Sequence, residues 1–313
     1  MGSGTTVVKL RCWNAGMNGT PNAGFSKRFD TSYILEVYFD DDNSIAKIKY
    51  KSLPNLPNSF QRATVGSFKW RSLIMGGKNS NRCFEFNQEE YQNIPSLNVN
   101  RYDAASSFIR NKVVIAGGDD GGRYLDTIEI LDLDESNHGS QWIESPSKSP
   151  FKVVRHTLVT FENQLYVIGG SYGRLNGYGR LVMNDLDTIW QGTIWKLGQN
   201  KRISWVKMCL RLQKKRSSHF SFVISNQIII FGGHVEGEDF VEILERKELK
   251  QGPKVPFELN ASCDQAVLDR KDRIIITSHR YGFIVYDHKQ GTFKMYGSFK
   301  LKEKLDDYAA ILQ

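Results

Sequence analysis

Three stretches of the chain repeat one arrangement of apolar and polar positions. In 104–118, 156–170 and 219–233 a short β-rich run meets a two-residue turn, a second β-rich run follows, and a pair of glycines closes the segment. The turns are expected at Asn111-Lys112, Asn163-Gln164 and Asn226-Gln227, because Asn tolerates the positive φ that tight hairpins require. Residues 63–77 read as a fourth copy with a less regular turn. After each Gly pair a variable polar loop leads to a second hairpin, clearest at 127–145, 193–208 and 282–297. An aromatic residue (Trp142, Trp205 or Phe293) opens its last strand. Each unit therefore reads as four antiparallel strands, a to d.

Two degenerate units extend the series. At 259–306 the Gly pair is replaced by Ser278-His279, and at 7–52 the first strand is missing. The last residues, 306–313, have the pattern of a first strand with nothing after it. Joining the two ends completes one unit and closes a ring without exposed edges. Six units in 313 residues give a period near fifty, and a repeat of that period overrides the two domains that length alone suggests. The fold expected is all-β: one six-bladed propeller over 1–313, four antiparallel strands per blade, closed by the terminal strands.

The Gly pairs at 76–77, 117–118, 169–170 and 232–233, with Trp142 and Trp205 downstream, resemble the kelch-repeat family of β-propellers. The resemblance is strong over 62–250 and weaker at both ends. Residues 124–134 and the first hairpins are most similar to animal kelch proteins that act as substrate receptors of ubiquitin ligases. In those a helical BTB–BACK region precedes the propeller, and none is expected here. The resemblance implies binding of acidic peptides on the face formed by the b–c loops and the d-to-a exits.

Charge changes the picture more than composition does. The net charge is +8, and the window 188–235 accounts for all of it, with eight basic residues (Lys196 to Arg216) and no acidic one. No apolar run reaches the length of a membrane span. The four cysteines are far apart, without metal-ligand spacing, and are expected as buried reduced thiols. The first ten residues lack a secretory pattern, so a cytoplasmic location, with a nuclear one also compatible, is expected. Met1-Gly2 with Thr6 matches the loose myristoylation pattern, for which chance suffices.

Motifs for chemistry are weak. Gly169 to Gly173 spell G-x-S-x-G, but a loop follows where a nucleophile elbow needs a helix. The Gly pairs lack a P-loop or dinucleotide context. The acidic turn Asp40 to Asn43 lacks calcium-loop spacing. His156 and His219 hold equivalent places before their Gly pairs, which points to structure, whereas His234 and His279 lie at the loop side. No cofactor or metal is expected.

The exit loops hold Arg62, Arg101, Arg155 and Lys214 to Arg216, and the b–c loops hold Arg123, Arg174, Arg180, His234 and Arg280. Tyr124, Tyr172, Tyr178 and Tyr281 stand among them. Arginine forks suit carboxylates and phosphates, and tyrosines add rigid apolar contact. The function expected is a non-catalytic, monomeric module that binds an acidic or phosphorylated segment of a partner protein. The residues expected to carry it are Arg123, Arg155, Arg174, Arg180, Arg216, Tyr172, Tyr178, His234 and Arg280. Two alternatives stay open. One is an enzyme on a sugar or sugar acid at the channel mouth, with His234 or His279 as acid/base. The other is RNA or DNA binding through 196–216 with Trp205.

Overall fold

The computed structural model describes residues 6–13, 32–40, 45–54, 62–68, 71–87, 89–133, 141–175, 181–197, 200–261, 264–278, 280–296 and 309–312. The strands begin with β1 (Thr6–Trp13), β2 (Ser32–Phe39) and β3 (Ile45–Ser52). Then come β4 (Thr64–Phe68), β5 (Arg71–Met75), β6 (Cys83–Phe86) and β7 (Tyr91–Ile94). The next unit has β8 (Ala105–Ile109), β9 (Lys112–Ala116), β10 (Ile128–Asp132) and β11 (Ile143–Glu144). It is followed by β12 (Thr157–Phe161), β13 (Gln164–Ile168), β14 (Ser171–Leu175), β15 (Leu181–Leu197) and β16 (Asn200–Arg216). After these lie β17 (Phe220–Ile224), β18 (Gln227–Phe231), β19 (Phe240–Glu245) and β20 (Glu248–Lys254). The series ends with β21 (Gln265–Leu268), β22 (Arg273–Ser278), β23 (Gly282–Asp287), β24 (Thr292–Met295) and β25 (Ala309–Leu312).

These strands form an all-β propeller of antiparallel sheets. Five are four-stranded blades, β25-β1-β2-β3, β4 to β7, β8 to β11, β17 to β20 and β21 to β24. The C-terminal β25 pairs with β1, Leu312 opposite Leu10, so the two ends meet in one blade. The expectation of six four-stranded blades is corrected here, because the sheet over 157–216 has five strands. Its β15 is seventeen residues long. β15 pairs with β14 through Leu181 to Asp185, with β13 through Ile189 to Gly192, and with β16 over most of its length. Residues 171–185, expected as a polar loop, thus include a hairpin. Around the ring β25 neighbours β4, β4 neighbours β8, β8 neighbours β12, and β12 neighbours β17, while β21 returns to β25.

Alternation of apolar residues explains the packing. Both faces of β9, β13, β18 and β22 are apolar and buried, which suits the middle of a sheet sandwiched between its neighbours. One core cluster joins Val114, Ile128 and Ile130 to Leu165, Val167 and Ile203 across two sheets, and another joins Ile168 and Ile189 to Ile228 and Ile230. The hairpin turns fall one residue earlier than expected. Phe161 pairs with Gln164 and Ile224 with Gln227, leaving Glu162-Asn163 and Ser225-Asn226 as loops. All four of these residues have positive φ, the geometry whose twist matches the flanking strands. The turn of 63–77 and the acidic turn 41–43 lie outside the described residues.

The Gly pairs hold each blade to the chain leaving it. A Cβ at Gly117 (φ +63) would lie 2.6 Å from the Val153 carbonyl oxygen, and one at Gly118 (φ +94) 2.8 Å from that of Tyr102. No side chain fits there, and the left-handed φ removes the penalty only for glycine. The second glycine of each pair donates its N–H outward: Gly77 to Arg101 O (2.8 Å), Gly118 to Val153 O (3.0 Å), Gly170 to Arg216 O (2.9 Å) and Gly233 to Leu259 O (2.6 Å). Positions 101, 153, 216 and 259 are therefore equivalent. Among the described residues, no helix is long and apolar enough to cross a membrane.

Candidate functional site

The d-to-a exits and the b–c loops share one rim. Isolated bridges join Tyr102 to Asp119, Val154 to Ser171 and Ser217 to His234, each linking an exit to the residue just after a Gly pair. Inside these bridges runs a collar of backbone hydrogen bonds. Ala261 donates to Ser218 O (2.8 Å), Ser218 to Arg155 O (2.8 Å), Arg155 to Asp103 O (3.0 Å) and Asp103 to Arg62 O (3.2 Å). Arg62, Asp103, Arg155 and Ser218 each stand two residues before an innermost strand, and all have φ between 52 and 56. A left-handed conformation costs a non-glycine residue about 1–2 kcal/mol, offset at Asp103, Arg155 and Ser218 by the bond each N–H makes to the neighbouring unit.

Two collar arginines grip one carboxylate. Arg62 Nε donates to Asp103 Oδ1 at 2.6 Å, and Arg155 Nε donates to Oδ2 at 3.1 Å. The Arg62 guanidinium lies 4.7 Å from the Tyr102 ring centroid, close enough for cation–π attraction. Burial, and then the neighbouring Arg155, hold Arg62 below the usual arginine range. Burial also raises the Tyr102 and Tyr124 phenols, assisted by Asp119, so both stay protonated donors. The Tyr124 hydroxyl donates to Met183 Sδ at 3.3 Å. Met183 and Leu181 form an exposed apolar ledge on one face of the β14–β15 hairpin, and Tyr172 and Val182 are exposed on the other. Collar and ledge together offer charge beside apolar surface.

The other sequence candidates divide. Arg123 is exposed and paired with Asp120, whose carboxyl the Arg123 hydrogen bond holds below the usual range. Arg280 is exposed, pairs with Glu258 and lies 5.9 Å from the Tyr281 ring. His234 is exposed and bonds Asp185 through Nδ1. Arg216 does not belong on the rim surface. Its side chain is fully buried, bonded to Gly232 O (2.9 Å), Asp239 (3.1 Å) and Glu242 (2.8 Å). Arg101 is its counterpart, fully buried against Gly117 O (2.9 Å) and Glu129 (2.5 Å). Each glutamate also accepts a backbone N–H, from Gln213 (2.6 Å) and Asn98 (2.7 Å). These arginines fasten an incoming strand to the third strand of the next blade. Arg174 lies on β14 opposite Val182, but its side chain, Arg180, Tyr178 and His279 lie outside the described residues.

Sequence reasoning missed Asp103, which organises the collar. The signal was available as a common spacing, two residues before each first strand, but the residues at that place (Arg, Asp, Arg and Ser) have no chemistry common to all four. His156 and His219 are buried, and burial pushes His156 down to about 4 and His219 well below its usual value. Ser171 is fully buried at the start of a strand rather than on an elbow. Burial raises the Cys83 thiol to about 12. Cys209, expected to be buried, is exposed on β16. Trp205 packs inward, 5.3 Å from Phe151, so the exposed tryptophan of the basic tract is Trp195. Among the described residues, no cluster of His, Cys, Asp and Glu is placed to hold a metal ion.

Residues 100–149 match the family described as Kelch motif. They include Arg101, Asp103, the Gly117-Gly118 pair and Trp142. With the antiparallel sheets in propeller arrangement, this match supports a kelch-repeat propeller. No curated protein matches the chain.

Proposed function

We propose that residues 1–313 form one kelch-type propeller and that it binds an acidic or phosphorylated segment of a partner protein on the b–c/d–a rim. A kelch propeller fits a protein-interaction module. The observation that carries the finer reading is the collar pair, Arg62 and Arg155, converging on Asp103 beside the exposed ledge of Leu181 and Met183. Asp119 lies close by, so an incoming anion competes with two carboxylates for the two arginines. An incoming carboxylate or phosphate would share those forks while apolar residues of the same segment cover the ledge. Arg123 and Arg280 extend the basic surface around the mouth, each with its own acidic neighbour, and His234 bonds Asp185, so the ligand competes with existing pairs. The module would be monomeric. Joined to a ligase-recruiting region, the same rim would select substrates, as in the animal kelch receptors it resembles.

The test is partner capture by the full chain. An Arg123→Glu, Arg155→Glu double variant is expected to lose its partners at least tenfold relative to wild type, and captured partners should fall away as salt rises. Identical capture by wild type and double variant would remove this rim as the site.

A further inference from the structure

β16 leaves a long edge open. It pairs with β15 and with no other strand among the described residues. The outer strands β11 and β24 have two and four residues, whereas β16 has seventeen. A free edge of that length offers a row of backbone donors and acceptors, which proteins normally shorten or cover. Near its end the edge is engaged, because Gln213 N–H donates to Glu242 of the next sheet. Beyond Lys207 the ladder shifts register, and Met208, Leu210 and Leu212 pack on the next sheet, so the regular open edge is residues 200–207.

The surface beside this edge is unusual. Trp195 opposes Arg202, Thr193 opposes Ser204, and Gln191 opposes Val206, so these residues share one face. On that face Trp195 is 57% exposed and Val206 63%. The opposite face packs Ile194 and Ile203 into the core. The Trp195 Nε1–H donates to Ser204 Oγ at 2.8 Å, which fixes the ring in place. Within the basic tract, Arg211 is paired with Asp187, Lys214 donates to the Glu236 carbonyl, and Arg216 is buried. Arg202, Lys207 and Lys215 are exposed, with no carboxylate partner among the described residues.

A second copy of this edge would bring like charges together, so the edge is closed to itself. It is open to an extended chain of opposite charge. We propose that residues 200–207 of β16 accept an acidic segment of a partner protein as an added β-strand, its apolar side chains covering Val206 and Trp195. A nucleic acid would satisfy the lysines and arginines but leave the backbone edge and Val206 without partners. The collar arginines take no part, so this site stands or falls independently of the rim.

The probe is a labelled eight-residue peptide of alternating Glu and Val, titrated against the full chain. Binding is expected to weaken at least tenfold in an Arg202→Glu, Lys207→Glu double variant and at high salt. Slowed amide hydrogen exchange should be confined to 200–207. An N-methylated version of the peptide, unable to form the ladder, should lose binding by a similar factor to wild-type chain. That comparison decides the matter even if the double variant fails to fold. Absence of binding at low salt, equal binding of the N-methylated peptide, or displacement of the peptide by single-stranded DNA of equal charge would overturn the proposal.

Discussion

Acid should loosen this fold through a buried histidine. His156 lies between two units, its ring Cε1 2.9 Å from where a Cβ on Gly117 would stand and its own Cβ 2.7 Å from the same place on Gly170. Both ring nitrogens are buried without a hydrogen-bond partner. Desolvation is the cause of its shift from 6.5 to about 4. The unfolded chain therefore takes up a proton near pH 6.5 that the folded chain refuses until about pH 4. Stability contributed by the neutral ring is complete above that upper value and is lost as pH falls through the window between the two. Between pH 7.5 and 5.0 the loss from this residue amounts to ~2 kcal/mol, taking 1.36 kcal/mol per pKa unit. His219, lowered by burial first and then by Arg216 and His156, adds to the loss in the same direction. Urea unfolding of wild type and His156→Leu at the two pH values isolates the first contribution. The wild type should lose about 2 kcal/mol more than the variant across the interval. Equal losses would refute the assignment, because the proton uptake would then lie elsewhere.

Two further perturbations address the repeat itself. Arg216→Met strips the partner from buried Asp239 and Glu242, and should cost about 3–5 kcal/mol in the same unfolding measurement. A cost under ~1 kcal/mol would mean that the buried network is idle. Gly118→Ala sets a Cβ against the Tyr102 carbonyl at a φ of +94, and should lower stability by about 2 kcal/mol or more. Gly122→Ala, with nothing within 4 Å of the added carbon, should be close to neutral, and a matching loss there would undo the packing account of the Gly pairs.

The periodic elements were legible because their cause is local. Alternating apolar positions and turn residues predicted the hairpins of 104–118, 156–170 and 219–233, and the closing pair of terminal strands, from the chain alone. The sheet of 157–216 was misread for an equally physical reason. Residues 171–185 are rich in Gly, Arg and Asn, which read as loop, yet the hairpin of β14 on β15 is held by backbone pairing that carries no compositional mark. Charge was the least legible feature. A run such as Lys214-Lys215-Arg216 looks uniform, but alternate residues of a strand face opposite ways. Lys215 is exposed while Arg216 is completely buried.

The five-stranded sheet also shows what replaced the buried ion pair. In the flanking blades Arg101 reaches Glu129, which pairs with Ile115, and Arg216 reaches Glu242, which pairs with Ile230. Ile115 and Ile230 each lie two residues before a Gly pair, as Val167 does, and the residue opposite Val167 is Trp190. The equivalent of the arginine is Val153. Val153 is buried and Trp190 partly so within one cluster, with Phe151 5.9 Å from the Trp190 ring. An apolar pair has thus taken the place of a charged one, an exchange that is often neutral in stability when volume is preserved. The last blade makes the same exchange, with Leu259 and Ile284 in one buried cluster, and its third strand has six residues. Strand c of the five-stranded sheet is β15, seventeen residues long. It continues past the blade at both ends, as the ledge of Leu181 and Met183 on one rim and the arm ending at Leu197 on the other. Both surfaces proposed for partners border this one strand.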